Sequence, residues 1–155
     1  MKEKSPYYLM IIIIICLIFA YVIFFIITMD SSNDAEVIFH TDHESFSFSC
    51  KMAETLEEKY QGLRDVSSLP KENGMIFVYD SMQPLVFTMT NMSIPLDIIF
   101  IDDKYMITHI VKANIGEAHI HSNSPAQYVV EINQGLTEEY MITIGTPVEI
   151  ILNQP

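Results

Sequence analysis

Residues Tyr7 to Thr28, YYLMIIIIICLIFAYVIFFIIT, run for 22 positions without a charged residue or a proline. No other feature limits this chain so strongly. At a helical rise of ~1.5 Å per residue the run extends ~33 Å, enough to cross a hydrocarbon core of ~30 Å with its backbone polar groups bonded internally. The expectation is an uncleaved membrane anchor over residues 7-29. A cleaved signal peptide is the alternative, but its apolar region runs only ~7–15 residues and ends at a small-x-small site, which Ile26-Ile27-Thr28-Met29 does not offer. Cys16 lies too deep in the run, behind Ile15, to read as a lipidation site.

Lys2, Lys4 and the amino terminus precede the run, and no Lys or Arg follows it before Lys51. The positive-inside bias then keeps residues 1-6 in the cytoplasm and puts a linker, residues 30-35, and a domain, residues 36-155, on the extracytoplasmic side. That outer part carries 19 acidic side chains against Lys51, Lys59, Arg64, Lys71, Lys104 and Lys112, a balance of −13. Such a field repels nucleic acid, so no nucleic-acid partner is expected. About 125 residues can bury a core unaided. Cys50 is the sole cysteine beyond the anchor, so the domain cannot form an internal disulfide; in an alternating strand-like run it reads as a buried small hydrophobe.

Alternating apolar and polar positions predict strands over residues 36–40, 45–52, 75–79, 85–90, 96–101, 105–112, 127–132 and 147–152, spaced as in an all-β domain. Asn73-Gly74 reads as a turn, and Asp102-Asp103-Lys104 as a tight hairpin turn. Thr55-Leu56-Glu57-Glu58 matches a capping box, with Gly62 as the stop of a two-turn helix. Residues 137–141 offer a second helical turn, and residues 114–125 read as a loop.

The order of these segments, with Gln61-Gly62-Leu63, Asn73-Gly74-Met75-Ile76-Phe77, Phe87-Thr88-Met89-Thr90-Asn91, Ile94 to Ile101, Tyr128-Val129-Val130-Glu131 with Gly135, and Ile144-Gly145, resembles the domain-of-unknown-function family 192 over roughly residues 36 to 152. The chain departs from the family pattern at Thr88, where Trp is usual, at Thr90, where Lys is usual, and at Thr146, where Asp is common. The resemblance implies a compact, mainly β domain of barrel or sandwich type with one or two short helices, often exported or anchored. It implies no settled activity.

Asp97 is flanked by Ile94-Pro95-Leu96 and Ile98-Ile99-Phe100, and a carboxylate in such company needs a partner. It is read either as a general base or ligand anchor near Asn91, or as an acceptor of backbone amides from the Met92-Ser93 turn. Glu131 shares the strand parity of Val129 and is either a core carboxylate with a cation or a pocket acid. The candidate pocket therefore gathers Phe87, Met89, Asn91, Asp97 and Glu131.

His119 and His121, two residues apart, fall on one face if the segment is extended, and Glu117 shares their parity, so a divalent metal there is the one cofactor considered. His40, Asp42, His43 and Glu44 read as a solvated turn. Phosphate loops, nucleophile elbows and paired-cysteine motifs are missing from the sequence. The favoured reading is a single-pass protein whose outer domain binds a small ligand, a peptide or an envelope protein. The alternatives are a hydrolase-like or metal-dependent enzyme using Asp97 or His119 and His121, and a purely structural envelope component.

Overall fold

The computed structural model describes residues 6–29 and 35–152. These fall into two compact units, each described by itself. The first holds one helix, α1 (Pro6–Met29), 24 residues long. Its described side chains are those of Tyr7, Met10 and residues 12–23. Among the described residues no helix is long and apolar enough to cross a membrane.

The second unit is mainly β. Its elements are β1 (Ala35–His40), β2 (Ser45–Ala53), α2 (Leu56–Gln61), β3 (Asn73–Gln83), β4 (Val86–Phe87), β5 (Leu96–Ile101), β6 (Ile107–Ala113), β7 (Ile120–His121), β8 (Ala126–Asn133), α3 (Leu136–Glu139) and β9 (Val148–Leu152). Seven strands form one sheet in the order β6-β5-β8-β3-β2-β1-β9, and β4 pairs with β7 in a separate two-stranded ribbon.

The sheet is mixed, because β2 and β3 run parallel while the other neighbours are antiparallel. A parallel pair needs a crossover rather than a hairpin, and the segment between Ala53 and Asn73 supplies it through α2. The barrel or sandwich expectation is corrected here. The sheet stays open, its edge strands β6 and β9 approaching only at one corner. There Met106 bridges Pro147, and Val148 N–H donates to the Tyr105 carbonyl at 2.9 Å.

Central strands are apolar on both sides, which is why β5 is buried at all six positions. Leu96, Ile98 and Phe100 belong to one core with Phe77, Val129 and Met89. Ile99 and Ile101 belong to the other, with Phe39, Phe48, Val130 and Leu136. The first core takes in Leu63, Val66 and Leu69 from the loop after α2 and Phe87 and Ile120 from the β4–β7 ribbon; the second includes Leu136 of α3.

Asn73-Gly74 is not a turn before a strand, as expected from the sequence, but the start of β3 itself. A Cβ at Gly74 would stand 2.7 Å from the Glu131 carbonyl oxygen and 3.1 Å from Cys50 Sγ. Glycine is there because the neighbouring backbone approaches too closely for any side chain. The strand expected over residues 85–90 shrinks to β4, and the loop expected over residues 114–125 contains β7.

Candidate functional site

The capping box forms as expected: Glu58 N–H donates to Thr55 Oγ1 at 3.2 Å, and Thr55 N–H donates to Glu58 Oε2 at 2.9 Å. Helix α2 then ends at Gly62, whose φ of +50° is a conformation that side-chain-bearing residues rarely adopt. The chain turns back over the sheet and buries Leu63 in the first core. The same turn carries Arg64 to the rim of a cleft.

This cleft has a volume of about 250 Å³. Glu131 from β8 forms part of its lining, Phe77 and Tyr79 come from β3, Phe87 from β4, and Lys59 and Arg64 from α2 and the turn after it. Phe87 stands edge-on between Phe77 and Phe100, with ring centroids 5.1 and 5.8 Å away, which fixes the apolar wall. Lys59 Nζ sits 4.4 Å above the Tyr79 ring, and the Arg64 guanidinium 4.5 Å above the Tyr60 ring. Both cations are thus positioned by aromatic faces.

Glu131 is 5% exposed. Its Oε2 and the Nη1 of Arg64 are both buried without a hydrogen-bond partner. Ion pairs among the described residues join Lys71 to Glu139, Lys112 to Glu138 and His40 to Glu149, and none joins Arg64 to Glu131. Burial pushes the Glu131 carboxyl up to about 8, with the charge of Arg64 pulling the other way. Tyr79 is raised as well, first by burial and then by Glu131.

Of the expected pocket residues, the structure brings Phe87 and Glu131 together and separates the other three. Met89 is buried inside the first core and does not line the cleft. Asn91 is exposed on a left-handed turn, at φ +64°. Asp97 points to the opposite face of the sheet, where its Oδ2 accepts from Gly135 N–H at 3.0 Å, Thr137 N–H at 3.0 Å and Thr137 Oγ1 at 2.7 Å. Backbone amides do hold Asp97, but they come from the start of α3 and not from the Met92-Ser93 turn. Through Oδ2 Asp97 ties the start of α3 to the sheet, and its Oδ1 is buried without a hydrogen-bond partner.

Among the described residues no three His, Cys, Asp or Glu side chains converge as ligands. The parity argument required extended backbone, whereas His119 has a φ of +60°. Glu117 Oε1 instead accepts from Asn114 Nδ2 at 2.8 Å. His40 is held by Ser45 Oγ at 2.9 Å and Glu149 at 3.3 Å, in keeping with a structured turn.

Sequence reasoning missed Arg64, Lys59 and Tyr79. A signal was present, since Arg64 is the chain's single arginine and follows the Gln61-Gly62-Leu63 motif directly. Thr88 also lines the cleft, so the departure from the family's usual Trp falls at the site itself.

The model of the domain-of-unknown-function family 192, described as "Uncharacterized ACR", matches residues 37–150. The chain belongs to this family. Two solved structures resemble the chain. A protein of unknown function from Novosphingobium aromaticivorans DSM 12444 is 32% identical, covers 74% of this chain and 83% of its own, and superposes with a TM-score of 0.71. A protein from Sinorhizobium meliloti 1021, described as a candidate transcription regulator, is 28% identical, covers 76% and 95%, and gives 0.72. Among curated proteins none matches the chain. For this family 192 member, the geometry of Arg64 and Glu131 is the most specific guide to function.

Proposed function

We propose that this family 192 protein is a single-pass membrane protein whose extracytoplasmic β domain takes a small ligand into the cleft between Arg64 and Glu131. The 22-residue uncharged run and the lysines before it support the anchor and its orientation. The binding reading is carried by one observation: two residues that line the same cleft, Arg64 and Glu131, each hold a buried polar atom, Nη1 and Oε2, that has no hydrogen-bond partner. Leaving such groups unsatisfied costs ~1–3 kcal/mol each, more when charged, so the arrangement favours a bound group that satisfies them. A concave, partly aromatic site with a few converging polar groups and a shifted pKa is the usual form of a ligand pocket.

A larger, more open trough of about 480 Å³ beside α3 is lined by Ile110, Met141, Ile142 and Ile144, with Lys112 and Glu138 paired to each other. A transcriptional role, suggested by the description of the Sinorhizobium relative, is not carried over, because a domain at −13 repels the phosphate backbone.

The test has two arms. In cells, an external protease is expected to remove a carboxy-terminal tag only if the domain lies outside, and alkaline carbonate is expected to leave the full chain in the membrane pellet. Purified full chain in micelles is screened against a metabolite library by thermal shift, beside an Arg64→Met, Glu131→Gln variant. A ligand at 100 times its Kd adds ~2.7 kcal/mol of stability. Compounds that stabilise the wild type and not the variant are expected; a library in which both respond alike contradicts the cleft as the binding site.

A further inference from the structure

The cleft is opposite in sign to the domain that carries it. Six basic residues are spread over the outer part of the chain, and two of them, Lys59 and Arg64, line this one hollow. Lys71 and Lys112 are neutralised by Glu139 and Glu138. Lys59 and Arg64 have aromatic rings beneath them and no carboxylate in an ion pair. Of their donors Arg64 Nη1 is buried and has no hydrogen-bond partner.

The one acid in the cleft does not cancel them. Glu131 lies among apolar groups: Met75 and Ile98 are its strand partners, and Phe77 lines the same wall. The charged or titratable groups facing it are Arg64 from the turn after α2, Lys59 and Tyr60 from α2, and Tyr79 from β3; β4 contributes Val86 and Phe87, and β5 contributes Ile98, none of which titrates. With its carboxyl raised to about 8 by burial, Glu131 holds a proton at neutral pH and is a donor. Arg64 Nη1, part of a guanidinium, carries donors and no acceptor. Two buried, unpartnered donors on residues that line one cleft call for a ligand with two acceptor atoms and negative charge.

We propose that the ligand taken by this cleft is a small organic carboxylate, its two oxygens bridging Arg64 Nη1 and the carboxyl group of Glu131 and its apolar body lying against Phe87. This rests on the binding function proposed above and gives its chemistry. The planar guanidinium suits a carboxylate better than a lysine ammonium does, because its donors are fixed in a fork. The volume, about 250 Å³, is room for roughly eight waters, enough for one ring and its carboxylate but not for a peptide. Thr88 matters here too, because its small side chain leaves open space at the cleft wall.

Binding is then coupled to a proton. A carboxylate bound between Arg64 and protonated Glu131 is released as Glu131 ionises, so affinity falls as pH rises through about 8. A cationic ligand bound to ionised Glu131 would show the reverse.

The experiment is calorimetric titration of the full chain in micelles with benzoate, benzamide and benzylamine at pH 6, 7.5 and 9, repeated on Glu131→Gln and Arg64→Met, with the thermal unfolding of each variant recorded to establish that it is folded. The expected result is that benzoate binds at pH 6 at least tenfold more tightly than either analogue and weakens at least tenfold by pH 9. Glu131→Gln, which keeps a donor at that position, retains benzoate binding and loses its pH dependence, while Arg64→Met loses tenfold or more. Benzylamine binding that strengthens with pH and disappears in Glu131→Gln, or benzamide binding equal to benzoate, overturns the carboxylate and leaves the cleft as a binding site. No binding of any of the three by folded wild-type chain overturns the carboxylate, and if the library screen is silent as well, the binding function falls with it.

Discussion

Asp97 and Glu131 sit on adjacent antiparallel strands and face opposite ways: Asp97 pairs with Ile132, Glu131 pairs with Ile98, and the sheet lies between their carboxyl groups. One register step decides their roles. Asp97 gathers the amides of Gly135 and Thr137 and the Thr137 hydroxyl on Oδ2 and keeps Oδ1 buried and unpartnered, while Glu131 keeps its buried Oε2 without a partner on the cleft side, across from Arg64.

Replacing Asp97 with Ala strands two backbone donors and one hydroxyl in a place where Asp97 itself has no exposure. The expected cost is about 2–4 kcal/mol, with α3 loosened, measured by chemical denaturation. Ligand binding at Arg64 and Glu131 is expected to survive in the folded fraction. Unchanged stability contradicts the anchoring role.

Glu131 gives the fold a pH signature of definite sign. Its folded pKa is raised from 4.5 to about 8, so between those values the folded protein holds a proton that the unfolded chain has released. Stability from this group is fully present below about pH 4.5 and is lost as pH rises to about 8. Denaturation curves for wild type and Glu131→Gln across that window are expected to differ in slope, the variant lacking the decline and being the more stable at pH 8.5. Parallel curves contradict a buried, protonated Glu131.

Cys50 is fully buried, and burial pushes its thiol up to about 12. In a Cys16→Ser background, a thiol reagent at pH 8 is expected to leave the native domain unmodified for as long as it stays folded and to react within seconds in denaturant. Rapid native labelling contradicts the packing of Cys50 against Gly74.

Much of this was legible because local signals agreed with the final fold. Thr55, Glu58 and Gly62 mark α2 to the residue, and the apolar run of β5 fits a strand covered on both faces. What the sequence hid depends on long-range placement. The parallel pairing of β2 with β3 leaves no local trace beyond a connection long enough to cross over. Gly74 looks like a turn residue until β8 is laid beside it. Asp97 and Glu131 look alike as acids in apolar strands, and only the register assigns them to different faces. Arg64 lay outside every strand and so escaped an argument built on strand parity.

The central claim is that Arg64 and Glu131 hold something other than each other. A crystal structure of the full chain, purified from membranes without added ligand and then soaked with benzoate, tests it most directly. The account predicts a non-protein group within hydrogen-bond distance of both Arg64 Nη1 and Glu131 Oε2, lying against Phe87. Direct contact between the guanidinium and the carboxylate, with the cleft closed over them, would contradict it.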